Sequence, residues 1–81
     1  MAEAPPQYLK FDRRLIAGID NADMLKRQRL LSSLVAMARD LGVKTVAEGI
    51  ETAAEADVCD SIGFSHAQGY WLGQPVLLEQ I

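Results

Sequence analysis

Cysteine is all but missing from this sequence. Cys59 stands alone, so no internal disulfide can form, and no Cys/His spacing suggests zinc. That usage suits a reducing, cytoplasmic setting. An excess of positive charge is missing too. Eight Lys and Arg against eleven Asp and Glu leave a net charge of −3, with no basic stripe to displace counterions from a nucleic-acid polymer. No apolar run approaches the roughly 18 residues that cross a bilayer, so no membrane partner is expected. The opening MAEAPPQ has no basic segment followed by an apolar one, which argues against a signal peptide. There is no repeat of fixed period and no low-complexity tract. What remains, 49% hydrophobic and 23% charged, is ordinary for a soluble globular chain. Its 81 residues make one small domain or a piece of a larger one.

Residues 1–6 read as an extended lead-in, since Pro5 and Pro6 both resist helix. YLKFD, residues 8–12, alternates as a short buried strand ending in charge. RRLIAGID reads as a connector with a bend at Gly18, and Asn21 as a helix cap. From 22 to about 41, Leu30, Leu31, Leu34, Val35, Ala38 and Leu41 form one apolar helical stripe, closed at Gly42. Val43–Ala47 is β-branched and nearly all apolar, as in parallel strands buried on both faces. Thr52 and Glu55 have capping-box spacing, so a helix over 53–62 follows, with Ala56, Cys59 and Ile62 inward and Gly63 at its end. Residues 64–68 read as a third strand running into a glycine-rich loop. Pro75 then opens what reads as a helix start.

Strand, helix, strand, helix, strand with short connections is the signature of α/β architecture built from parallel β/α units. Two helices cannot hide all of Leu9, Phe11, Val46, Ala47 and Ala67, so an open apolar sheet face is expected. Such a face and unpaired strand edges invite association with another copy or with a missing part of a barrel.

In parallel β/α folds the working residues sit at the C-terminal ends of strands. Here those ends carry Lys10 and Asp12, then Glu48 and Glu51, then Gln68. One cation, several carboxylates and an amide on one rim could bind a phosphate and a metal-bound water. Gly49 and Gly69 would let backbone approach a ligand closely. Each residue also has a plainer reading. Carboxylates at a helix N-terminus are favoured by the helix dipole. A lone lysine snorkels. His66 reads as a satisfied histidine, Tyr70 and Trp71 as packing, Arg13 and Arg14 as exposed charge, and Cys59 as a small core residue.

Three segments in order, YLKFDRRLI, KTVAEGIET and AQGYWLGQP, resemble the last third of an EAL domain, the family of cyclic di-GMP phosphodiesterases. The resemblance runs from about Tyr8 to Pro75. It implies about a third of a TIM-type barrel, and hydrolysis of one phosphodiester bond of cyclic di-GMP with two divalent ions, Mg2+ or Mn2+. By motif, Lys10 is similar to the lysine near the metals and attacking water. Glu48 is similar to the glutamate that meets the metal–water cluster, a candidate general base. Glu51 is similar to the glutamate that steadies an acidic loop, and Gln68 to the glutamine beside the water. Asp12 matches the aspartate of the lysine strand, without an evident role.

The glutamate-alanine-leucine motif that names that family is absent, as are its other metal-ligating strands. The resemblance therefore implies a C-terminal fragment, catalytically inactive as the isolated chain, with no complete metal site. Two other readings stand beside it: a non-catalytic nucleotide-binding or interaction module, and a self-assembling structural barrel fragment.

Overall fold

The computed structural model describes residues 7–69 and 76–78. The expected lead-in over 1–6, and Tyr70 and Trp71, lie outside the described residues. The elements are β1 (Tyr8–Phe11), α1 (Arg13–Ile16), a 3-10 turn (Ala22–Met24), α2 (Leu25–Asp40), β2 (Lys44–Ile50), α3 (Ala53–Ile62), β3 (His66–Gly69) and β4 (Val76–Leu77). They build one four-stranded sheet in the order β1-β2-β3-β4. β1, β2 and β3 run parallel, as the alternation of strands and helices requires, while β4 lies antiparallel on β3.

The register decides the two faces. Phe11, Ala47 and Ala67 pair laterally and point toward the helices, where Ile16, Leu31, Val35 and Cys59 complete the core. Phe11 also meets Phe64 edge-on, with ring centroids 5.0 Å apart. Lys10, Val46 and His66 pair on the opposite face.

Several expectations are corrected. Val76 and Leu77 are a strand, not a helix start: their backbone groups complete the edge of β3. RRLIAGID is more than a connector. Asp12 caps α1 by accepting a hydrogen bond from Arg14 N at 2.8 Å, and Ile16 and Ile19 sink fully into the core. Four residues are too few to show helical periodicity. Asn21 makes no side-chain cap bond; the chain enters α2 through the 3-10 turn instead. The single apolar stripe of α2 divides in two. Leu31, Val35 and Ala38 are buried on the sheet, whereas Leu30, Leu34 and Leu41 stay exposed.

The open face is smaller than expected, since Phe11, Val46, Ala47 and Ala67 are all buried and Leu9 alone is exposed. The insertion of Ile16 and Ile19 covers part of the sheet. Val46, on the other face, lies beneath Tyr8 and His66, whose rings meet across β2 at 5.3 Å. The third strand begins at His66, not Phe64, which is buried in the core. Thr52 and Glu55 form the capping box, Gly63 closes α3, and Ala56 and Cys59 point inward with Ile62 partly buried. Among the described residues no helix is long and apolar enough to cross a membrane.

Candidate active site

β2 runs three residues further than its apolar stretch, through Glu48 and Gly49 to Ile50. It does so by a bulge. Glu48 pairs with Gln68, but the next pair is Ile50 with Gly69, so Gly49 is the extra residue. A strand reverses its side chains at every residue. Without the bulge, Glu48 and Ile50 would share a face. With it, Glu48 stays on the face of Lys10 and Gln68, while Ile50 turns into the core with no exposed surface.

Glycine is needed at two points here by the packing of the chain itself. Gly49 has φ +81°, and a Cβ on it would overlap the Arg13 side chain at the start of α1. A Cβ on Gly69 would overlap the Ile50 carbonyl. At both glycines the chain approaches itself closely, which seats α1 and β3 against the bulge.

A cleft of about 650 Å3 opens at this end of the strands, lined by Asp12, Arg13, Arg14, Glu48, Gln68 and the two glycines. The structure therefore brings together Asp12, Glu48 and Gln68. Lys10 lies on the same sheet face, paired with Val46 two residues before Glu48, but does not line the cleft. Glu51 stands exposed just past β2 and outside the lining.

Local bonds explain each position. Asp12 is engaged by Arg14, whose Nε donates to Oδ1 at 3.2 Å. The Arg14 backbone hydrogen bond, then its side-chain bond, holds the Asp12 carboxyl below the ordinary carboxylate range. Arg14–Asp12 is the only ion pair among the described residues, so Lys10 has none there. Gln68 Oε1 is buried without a hydrogen-bond partner among the described residues. Such an atom is costly unless something donates to it, so Gln68, paired with Glu48 across the sheet, holds an unused acceptor among the described residues.

One residue that organises this region was read only as a cap. Glu55 is buried at 6% exposure. Its Oε1 accepts from Glu51 N at 2.8 Å and Thr52 N at 3.3 Å, and its Oε2 accepts from Gly18 N at 2.8 Å. It ties the turn after α1 to the turn that presents Glu51. The capping-box spacing was the sequence signal; the contact with Gly18, 37 residues away, had none.

His66 and Cys59 keep their plain readings. Ser65 Oγ donates to Thr45 O at 2.8 Å and accepts from Thr45 N at 3.0 Å. Its one hydrogen is used, so His66 Nδ1 must donate across their 2.9 Å contact. That bond cannot activate Ser65. Burial, with a smaller contribution from Glu55, pushes the Cys59 thiol up to about 12.

No three His, Cys, Asp or Glu side chains cluster among the described residues, and a hard divalent ion takes six or more oxygens.

A family model described as the EAL domain matches residues 1–75. The chain belongs to the EAL domain family. It is 37% identical over 79 residues to the bifunctional diguanylate cyclase/cyclic di-GMP phosphodiesterase MucR of Pseudomonas aeruginosa, covering 95% of this chain and 11% of that protein. It is 35% identical to the probable cyclic di-GMP phosphodiesterase PdeN of Escherichia coli, covering 89% of this chain and 14% of the relative. The chain thus spans about a ninth of the first of these curated relatives and about a seventh of the second. Among solved structures, the manganese and cyclic di-GMP complex of Klebsiella pneumoniae BlrP1 superposes with TM-score 0.76 at 32% identity, over 91% of this chain and 18% of that one. The PaMucR phosphodiesterase in complex with c-di-GMP superposes with TM-score 0.70 at 36% identity, over 94% and 30%. The parallel β/α units described above are therefore part of an EAL-domain barrel.

Proposed function

We propose that this chain is the C-terminal part of an EAL-type cyclic di-GMP phosphodiesterase and supplies one arc of its catalytic rim. The observation that carries the reading is the parallel register, which pairs Glu48 of β2 with Gln68 of β3 on the face that also holds Lys10. In this reading Glu48 works on the water that attacks the phosphate, as general base. Gln68 Oε1 accepts a hydrogen bond from that water, which would satisfy an otherwise orphaned atom. Lys10 offsets charge on the phosphate. Glu51 supports a neighbouring acidic segment, and Asp12 holds the turn into α1.

The Mg2+ or Mn2+ ions of the complete domain need ligands beyond this donor set. The 81-residue chain alone is accordingly expected to be inactive, in the cytoplasm that its single buried thiol suits, and to associate with a second copy or with the rest of a barrel. The test is cyclic di-GMP turnover with Mn2+ by the chain alone and by the chain joined to the remaining strands of an EAL domain. Activity only in the joined form supports the reading, and activity that survives Glu48→Gln in that form sinks it. A second reading, a non-catalytic interaction module, is favoured by the exposed apolar groove beside β1. Metal-independent binding of cyclic di-GMP by the chain alone would select it.

A further inference from the structure

Glu55 has one oxygen more than its helix needs. A capping box is closed equally well by glutamate or glutamine, because one side-chain oxygen reaches back to the helix start. Oε1 does that here, accepting from Glu51 N at 2.8 Å and Thr52 N at 3.3 Å. Oε2 is left over, and it accepts from Gly18 N at 2.8 Å. The side chain is buried, and no cation pairs with it among the described residues. A buried carboxylate is costly unless donors meet it, and here they are backbone groups of two separate turns.

What Gly18 anchors is α1. Four residues cannot sustain a helix by themselves, so α1 is held from outside. At its start, Arg13 packs on the bulge where a Cβ on Gly49 would overlap it. From α2, Arg27 Nη1 donates to Arg14 O at 3.3 Å. At its end the chain turns through Gly18, with φ +70°, between the buried Ile16 and Ile19. Held this way, α1 brings Arg13 and Arg14 to the cleft that Glu48 and Gln68 also line. Asp12 engages the Arg14 guanidinium. The Arg13 guanidinium has no ion pair among the described residues, so it is the charge this cleft can offer an anion.

We propose that Glu55 is a positioning residue, which holds α1 so that the Arg13 guanidinium meets a phosphate oxygen of the substrate. This rests on the phosphodiesterase reading above and adds a part to it. Binding comes from α1 and chemistry from the ends of β2 and β3, and one carboxylate joins the two. A contact made equally in the bound substrate and in the transition state sets KM and leaves kcat alone.

The test uses the chain joined to the remaining strands of an EAL domain, with Mn2+ and cyclic di-GMP, at a temperature where urea unfolding shows each variant folded. Arg13→Gln keeps the Cβ and Cγ that pack on Gly49. It should raise KM about tenfold, the worth of one charge-assisted contact, with kcat within about twofold. Glu55→Gln keeps the cap and loses the Gly18 bond, and should raise KM at least about threefold with kcat again little changed. Together the two should raise KM no further than Arg13→Gln alone, because Glu55 acts through Arg13. A merely structural Glu55 would lower the folded fraction, which cuts apparent kcat and leaves KM unmoved. That result, an unmoved KM in Arg13→Gln, or effects that multiply in the double variant overturns the proposal while the parent's turnover stands. A parent without turnover overturns the phosphodiesterase reading, and this use of α1 with it.

Discussion

Replacing Glu55 with glutamine removes one acceptor from a buried group that serves three donors. In the native chain Oε1 serves Glu51 N and Thr52 N, and Oε2 serves Gly18 N. Glutamine keeps one carbonyl oxygen, which can stay with Glu51 and Thr52. Its amide then meets Gly18 N, donor against donor. The loss of one hydrogen bond to a charged group is worth about 1.5–3 kcal/mol. Because the Gly18 contact is only partly buried, about 2 kcal/mol is the expected loss. Glu55→Ala strands all three donors and should lose about 3–5 kcal/mol. Urea unfolding at fixed protomer concentration reads this directly. With a slope of about 1 kcal/mol/M, the glutamine variant should move the midpoint down by about 2 M. Amide exchange should quicken at Gly18 and stay slow at Glu51. If the midpoint moves by less than about 0.3 M, or Gly18 keeps its protection, the idea that Glu55 clamps the two turns is wrong.

Cys59 gives a prediction in alkali. Its folded value is raised from 9.0 to about 12, so its contribution is complete below pH 9 and lost as pH climbs toward 12. At pH 10.5 the parent should have lost about 2 kcal/mol more than Cys59→Ala, relative to pH 8, in matched denaturation curves; parallel curves would rule this out. Gly49→Ala forces a side chain into a left-handed backbone and into Arg13, and should cost about 2–4 kcal/mol by urea unfolding. A loss under about 0.5 kcal/mol would mean the bulge is not under this constraint. Gln68→Leu removes a buried acceptor that has no partner among the described residues, so the chain should be as stable as the parent or about 1 kcal/mol more stable. A clear destabilisation would show that Gln68 Oε1 is satisfied after all.

The parts of the fold that could be read in advance are those with local rules. The capping box at Thr52 and Glu55 and the apolar strand before Glu48 each declare themselves within a few residues. The candidate rim was suggested by motif alone; the register puts Glu48, Gln68 and Lys10 on one face, while Lys10 and Glu51 stay outside the cleft lining. What escaped depends on distant partners. Nothing near Gly49 announces that Arg13 will cross it. The two stripes of α2 look alike as sequence, because Leu30 and Leu31 are equally apolar; only the position of the sheet separates them. The strand at Val76 was hidden by Pro75, which suits the first turn of a helix as well as the start of an edge strand.

The antiparallel β4 has a consequence for assembly. A wholly parallel sheet offers two long edges, and copies that add at both can stack without limit into a fibre. Here one edge ends in a strand of two residues running the wrong way for further parallel growth. A strand added there would have only two described residues to pair with, so this edge gives a growing fibre little to hold.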